Sequence, residues 1–349
     1  MATAGDAVTT KFATVQAGYY EDPFIAAFHN ASSILARRRN NQSRPIQVII
    51  KRGTFARVCC IEKTIEKFLG LIEPSQIAQV VVLGAGKDTN YFRLIQSRLG
   101  SNSPFVRWVE VDHATILQEK LSVIDDNSAL FNVEKLGNGD YIELKPIDPS
   151  AQDRSNCVMI AHDLKSGTDL LMQKLVRSGL HPEAPTLFIS ECVFMYMPDN
   201  ETRRLLSALS ATFQKSCICQ YEPIVGNGDS FGQMMEENLS KAGVAGADSG
   251  LLKVRSNHDH ANRLYETGFT IAIACDMYAA YEAILTDEQR LRANRSEFLD
   301  ELEEFVLIMK HYSFSLGSTS ESSIGRRLCT LGKDSHLGFE ANRSISRLS

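Results

Sequence analysis

Val80-Val81-Val82-Leu83-Gly84-Ala85-Gly86-Lys87-Asp88 is an apolar run that stops at Gly-Ala-Gly, and about a strand's length later Val109-Glu110-Val111-Asp112 ends a second apolar run in an acid. The first pattern predicts a buried parallel strand feeding a tight turn. Glycines let the backbone approach a ligand where a side chain would block it. In open α/β sheets ligands bind at the carboxyl ends of the strands, and an acid there can accept both hydroxyls of a ribose. Together the two features point to a nucleoside-containing cofactor. The dinucleotide fingerprint calls for a further glycine, and the chain continues Thr89-Asn90 instead. That departure weakens a nicotinamide or flavin reading. It leaves S-adenosylmethionine, whose binding needs no glycine cradle for a pyrophosphate.

The chain has 349 residues, 44% of them hydrophobic, enough for one large domain or two small ones with a substantial core. Its net charge of −5 lacks the basic excess of a nucleic-acid binder, so no nucleic acid is expected. No apolar stretch approaches the roughly 20 residues of a membrane span, so no membrane association is expected. Residues 1–10 lack the basic-then-apolar pattern of a secretory signal. Eight cysteines are scattered, Cys59-Cys60 and Cys217-x-Cys219 among them, with no histidine at ligand spacing. They read as reduced, buried thiols; no metal site is expected, and the cytoplasm is the default compartment.

Residues 1–10 are small and polar, which predicts disorder. A helix follows with Phe24, Ile25, Phe28, Ile34 and Leu35 at near-helical spacing and Arg37-Arg38-Arg39 in its last turn. A second helix is expected from Arg57 to Leu69. Strands are then predicted at 79–83, 107–111, 157–161, 186–190 and 216–220, with helices at 89–98, 114–123, 169–178, 200–213 and 231–242. This alternation predicts a parallel sheet covered on both faces. Residues 124–155, rich in Gly, Asn, Asp and Pro, read as a surface excursion, and 243–258 as a mobile loop. A packed helix is expected over 296–311, its stripe formed by Phe298, Leu299, Leu302, Phe305, Val306 and Met309. The segment after Ser318 has few large apolar residues and is expected to be disordered.

Asp88, Asp112, Asp163 and Glu191 all fall at or just after predicted strand ends. Those ends share one edge of a parallel sheet, so the acids should converge there. Unpaired, such a cluster is costly. Facing ribose hydroxyls, an adenine amine, an α-ammonium and a sulfonium, it makes sense. Asp88 also suits the N-cap of the next helix. The position of His162 is explained by its neighbour Asp163 rather than by a catalytic role. A cofactor α-carboxylate needs a cation, and an arginine fork fits it. Arg57 is one candidate; Arg52 and Lys11 serve equally from sequence alone.

These residues resemble the leucine carboxyl methyltransferase family. The resemblance rests on segments occurring in order: Lys11-Phe12-Ala13, Gly18-Tyr19 with Asp22-Pro23, Arg52-Gly53-Thr54-Phe55-Ala56-Arg57-Val58, Leu83 to Thr89 with Phe92-Arg93-Leu94, Glu110-Val111-Asp112, Asp163-Leu164, Glu191-Cys192-Val193 with Tyr196-Met197, Tyr221-Glu222, Gly228 to Gln233, and Glu297 to Glu301. It spans about Lys11 to Gly317. It implies a Rossmann-like class I S-adenosylmethionine-dependent methyltransferase with a mostly parallel sheet, N-terminal helices and an added helical substrate-side region. Residues 11–317 would form one methyltransferase domain: an N-terminal helical part (11–75), a cofactor-binding core (76–225) and a substrate-side part (226–317). The implied reaction is methyl esterification of the C-terminal leucine of the type-2A protein phosphatase catalytic subunit, which regulates holoenzyme assembly; S-adenosylhomocysteine is the product and the enzyme is expected to be a monomer. Arg57 would hold the methionyl carboxylate, Gly84 and Gly86 line the cofactor, Asp112 take the ribose hydroxyls, Asp163 and Leu164 frame the adenine, and Glu191 bind near the α-ammonium. Lys11 would close over the site. Lys11, Arg57 and Tyr196 are the candidates to grip one oxygen of the acceptor carboxylate.

A C-terminal carboxylate, with a pKa of about 3.3–3.7, is already ionised at neutral pH and needs no general base. No Ser-His-Asp or Cys-His arrangement is evident in the chain. Related readings are a small-molecule carboxyl methyltransferase and a methyltransferase of the same family acting on a carboxyl group of a tRNA base; that branch carries an added propeller domain, and no repeat region or basic excess is visible here to suggest it. A non-catalytic phosphatase-tail binder is the reading from a different class, and retention of Gly84, Asp112, Asp163 and Glu191 argues against it.

Overall fold

In a computed structural model the described residues are 2–37, 45–100, 102–137, 141–148, 154–225, 228–241, 243, 248–319, 323–330 and 340–341. Three helices lead: α1 (Ala2–Gln16), α2 (Ile25–Arg37) and α3 (Val48–Leu69). Next come β1 (Ile77–Leu83), β2 (Phe105–Asp112), α4 (Ala114–Asp126), α5 (Ser128–Phe131), β3 (Val133–Gly137), β4 (Ile142–Pro146) and β5 (Ser155–Ala161). The chain continues through α6 (Thr168–Arg177), β6 (Thr186–Glu191), α7 (Asp199–Thr212), β7 (Ser216–Pro223), α8 (Ser230–Lys241), α9 (Gly250–Lys253) and α10 (Asn257–Glu266). It ends with β8 (Ile271–Asp276), α11 (Met277–Ile284), α12 (Asp287–Ser296), α13 (Leu302–Lys310), β9 (Tyr312–Ser318), α14 (Ser323–Leu328) and β10 (Glu340–Ala341).

One sheet runs in the order β10-β8-β9-β7-β6-β1-β2-β5-β4-β3. The five strands expected from sequence, β7-β6-β1-β2-β5, are its parallel centre. Each is a near-continuous apolar run because helices cover both faces. Val80, Val82 and Trp108 pack with α3 and α4 on one face, while Val81, Leu83, Val109 and Val111 pack with α6, α7 and α10 on the other. The order reverses between β1 and β6, which opens a crevice at their carboxyl ends.

Several expectations are corrected. Residues 2–10 are not disordered but open α1, with Val8 buried in the core. The 124–155 segment is not a mere excursion: β3 and β4 add two antiparallel strands beside β5. Residues 91–96 wind as a short π-helical turn rather than an α-helix over 89–98, with Ser97 Oγ donating to the Phe92 carbonyl at 2.6 Å. α13 begins only at Leu302, so Phe298 is 82% exposed instead of packed. The described part of the tail is ordered: α14 ends at the buried Leu328, the buried Cys329 follows, and β10 pairs with β8. In the supposed loop 243–258, Ser249 bridges Pro198 and α9 follows. The readings made of Arg38, Arg39, residues 244–247 and most of the tail fall outside the described residues.

Beneath the site lies a buried ion pair. Lys120 Nζ donates to Glu110 Oε2 at 2.6 Å and to the Asp88 carbonyl at 2.6 Å, and both side chains are fully buried. Burial pushes the Glu110 carboxyl above its ordinary range, and Lys120 pulls it back. Lys120→Met is expected to cost about 3–5 kcal/mol in urea unfolding, because it strands a buried charge. With burial then unopposed, the folded state binds the Glu110 proton more readily than the unfolded chain does. Stability of the variant therefore falls as pH rises, and its deficit against wild type is larger at pH 8 than at pH 5.

Candidate active site

The turn after β1 is fixed by its backbone. Gly84 and Gly86 adopt φ of +67° and +53°, a region that suits glycine. The N–H groups of Gly84 and Ala85 donate to the Val111 carbonyl at 2.8 and 3.2 Å, which ties the turn to β2. Asp112, at the end of β2, accepts from the Gly86 N–H through Oδ2 at 2.7 Å and from the His113 N–H through Oδ1 at 2.7 Å. An ideal Cβ on Gly84 would lie 2.6 Å from Val193 Cγ2, so the turn after β6 is pressed against it. A Cβ on Gly86 would meet nothing within 4 Å.

Gly86 faces a cavity of about 530 Å³ at the carboxyl ends of the central strands. Lys11, Arg57, Gly84, Gly86, Asp112, Asp163, Leu164, Glu191 and Tyr196 all line it, so these residues come to one place. Asp88 is in the wall as well, and it also caps the turn that follows: its Oδ1 accepts from the Asn90 N–H at 2.8 Å. Lys11 Nζ lies 3.8 Å from Asp88 Oδ2 and 3.9 Å from Glu191 Oε2. Arg57 Nε lies 3.4 Å from Glu191 Oε2 without a hydrogen bond, and its guanidinium sits over the Tyr221 ring, 5.4 Å from the centroid. Burial works against the Arg57 charge, but Glu191 and the surrounding Tyr221, Cys192 and Tyr312 outweigh it and hold the pKa above its ordinary value. The guanidinium is permanently charged.

The structure separates the cation candidates that sequence left equal. Arg52 turns away from the cavity, where its Nη1 donates to Asn294 Oδ1 at 2.7 Å and its Nη2 to the Ala293 and Glu297 carbonyls at 2.9 and 3.0 Å. It caps the end of α12. Burial lowers the His162 pKa, and its Nε2 lies 2.9 Å from the Ser166 carbonyl, which occupies that nitrogen. Asp163 is half-exposed at the rim and accepts from the Lys165 N–H at 3.0 Å.

Sequence reasoning gives Asp22 no role of its own. Its Oδ1 accepts from the Phe24 and Ile25 N–H groups at 3.0 and 3.1 Å, and its Oδ2 from Thr89 Oγ1 at 2.6 Å. It thus caps α2 and ties it to the glycine turn. The Asp-Pro pair just before an apolar-periodic run is a helix-start signal that marks the cap. Nothing in the chain marks the tie.

The sequence model described as leucine carboxyl methyltransferase matches residues 1–210, more than half of the chain. The chain belongs to the leucine carboxyl methyltransferase family. Among similar proteins, leucine carboxyl methyltransferase 1 of Yarrowia lipolytica is 31% identical over 89% of this chain and 94% of its own length. The proteins of the same name from Caenorhabditis elegans and Rattus norvegicus are 31% and 30% identical, covering 89% and 94% of this chain and 88% and 92% of their own. A putative methyltransferase from Thermobifida fusca, a solved structure, covers 77% of this chain and 82% of its own with a TM-score of 0.45 and 13% identity, so the family assignment rests on the sequence relatives.

The family's methyl donor is S-adenosylmethionine, and the cavity fits it. Gly86 leaves room that a side chain would fill, and Arg57 Nε is a buried donor that lacks a hydrogen bond. The wall combines carboxylates, which suit hydroxyls and an ammonium, with cations, which suit a carboxylate. Among the described residues, no cluster of His, Cys, Asp and Glu could hold a metal ion, and no helix is long and apolar enough to cross a membrane.

The two glycines should respond differently to alanine. Both changes carry the left-handed backbone penalty of about 1–2 kcal/mol, but only Gly84→Ala also collides with Val193. Thermal unfolding of Gly84→Ala, Gly86→Ala, Val193→Ala and the Gly84→Ala/Val193→Ala pair tests this. The larger loss is expected for Gly84→Ala, with part of it recovered in the pair.

Proposed function

We propose that this chain uses S-adenosylmethionine to methyl-esterify the C-terminal leucine carboxylate of a type-2A protein phosphatase catalytic subunit, acting in the cytoplasm as a monomer and so regulating holoenzyme assembly. The observation that carries the reading is the convergence of Lys11 and Arg57, from two helices outside the parallel centre, on a cavity walled by Asp88, Asp112 and Glu191. Buried thiols at Cys59, Cys60, Cys157, Cys217, Cys219 and Cys275 suit a reducing compartment.

When bound, S-adenosylmethionine supplies an electrophilic methyl group on a sulfonium. The protein's work is binding and orientation. Asp112 is assigned to the ribose hydroxyls, Asp163 and Leu164 to the adenine, and Glu191 to the α-ammonium. Arg57 is assigned to the methionyl carboxylate, with Gly84 and Gly86 leaving the backbone open beneath. The acceptor carboxylate is already anionic, so no side chain has to remove a proton. It must instead lose water, which costs several kcal/mol unless a partner replaces the solvent. Lys11 and Tyr196 suit that role, because one donor on one oxygen offsets the desolvation and leaves the other oxygen free to attack. Holding the two reactants in register supplies about 7–11 kcal/mol of the barrier reduction.

Labelled methyl transfer to purified phosphatase, intact or lacking its terminal leucine, tests the reading. Base-labile label on the intact subunit alone is expected. Label on neither, with cofactor still bound, would point to a small-molecule acid as acceptor. Asp112→Ala is expected to raise the cofactor Kd about tenfold or more in calorimetry, the scale of one lost charge-assisted hydrogen bond. Lys11→Ala should lower kcat at saturating cofactor and acceptor, and unchanged turnover in both Lys11→Ala and Arg57→Ala would remove them from the mechanism.

A further inference from the structure

Glu191, Cys192, Val193, Tyr196 and Met197 all face the cavity from one short stretch, the turn that leaves β6. Left to itself this turn is poorly bonded. Cys192 takes φ +52°, unusual for a residue with a side chain, and its N–H donates to the Tyr221 carbonyl at 2.7 Å. Residues 194–196 then form a single 3₁₀ turn. The first N–H groups of any such turn have no partner within it.

Glu222, near the end of the neighbouring strand β7 and only 2% exposed, gathers those groups. Its Oε1 accepts from the Val193 and Phe194 N–H groups, both at 2.9 Å, and its Oε2 from the Met195 N–H at 3.1 Å. Ser190 Oγ lies 3.4 Å from Oε1. Three donors divided between two oxygens suit an ionised carboxylate, which only accepts. Burial pushes the Glu222 carboxyl up, while the turn's N–H groups and the charge of the buried Arg263, whose guanidinium lies 5.6 Å from the Phe194 ring centroid, draw it back.

We infer that Glu222 is a positioning residue for methyl transfer. It touches neither cofactor nor acceptor. It sets the turn so that Glu191 at one end and Tyr196 at the other face the cavity together, and so that Val193 stays seated against Gly84. One buried carboxylate thereby couples the cofactor side of the site to the acceptor side. The inference rests on the function proposed above for its acceptor half.

Glu222→Gln tests it, since it keeps the volume but turns an NH₂ group toward N–H donors. Leu175→Ala, in the buried core of α6, is the comparison for general loss of stability. Glu222→Gln should speed hydrogen exchange at Val193, Phe194 and Met195 at least tenfold, raise the cofactor Kd tenfold or more, and lower kcat tenfold or more. Leu175→Ala should leave the cofactor Kd and kcat within twofold of wild type. Glu222→Asp, which keeps the charge on a shorter arm, should fall between wild type and Glu222→Gln. A cofactor Kd and exchange rates in Glu222→Gln within twofold of those in Leu175→Ala would overturn the inference. Should Glu222→Gln not fold, Glu222→Asp is judged on the same limit. Both readouts are independent of the acceptor, so a failure to methylate phosphatase would count against the proposed function and not against Glu222.

Discussion

A row of acids at the edge of a parallel sheet repels itself, and the fold around this cavity is organised by the two cations that answer it. Lys11 comes from α1 and Arg57 from α3, so neither belongs to the central α/β unit. Lys11 lies within 4 Å of Asp88 and Glu191, and Arg57 lies within 4 Å of Glu191. The N-terminal helices are thus part of the site's electrostatics as well as its wall. Charge is matched a layer deeper as well, where Lys120 answers Glu110 and holds the Asp88 carbonyl. At both depths a carboxylate is tolerated because its partner comes from a different element, and each pair binds those elements together.

The parallel centre was legible because a strand buried on both faces leaves a plain trace, an apolar run closed by a turn or an acid. The antiparallel additions leave a fainter one. β9 reads Tyr-Ser-Phe-Ser-Leu-Gly-Ser, and its serines suggest an exposed segment, yet Ser313, Ser315 and Ser318 are buried between β7 and β8. β8 is six residues long, two of them alanine. The short α14 offers only Ile324 and Leu328 as large apolar residues and packs against α3 and β9, partners distant in the chain. At 296–311 the apolar spacing was real, but the break at 297–301 places Phe298 outside the helix.

The acids that line the cavity were legible because strand ends fix where acids fall. The choice between Arg52 and Arg57 could not be made the same way. Five residues along an α-helix turn a side chain by about 140°, so the two arginines of α3 serve opposite sides. Which side meets the cavity depends on how α3 lies against the sheet and α12. The same holds for the longest reach of Asp22, Lys120 and Glu222: each bonds a group remote in sequence, the Thr89 hydroxyl, the Asp88 carbonyl and the N–H groups of Val193, Phe194 and Met195, and no local pattern announces such a contact.

The bridge made by Asp22 has a thermodynamic consequence. A single carboxylate is shared between the first N–H groups of α2 and the hydroxyl of Thr89, next to the glycine turn. Ordering at the start of α2 and ordering of the segment that follows the glycine turn therefore draw on the same carboxylate. Linkage is reciprocal: whatever tightens one end of a coupled pair tightens the other by the same free energy. A ligand that settles the turn after β1 would thereby also steady α2, and with it the helix packed beside it that carries Lys11.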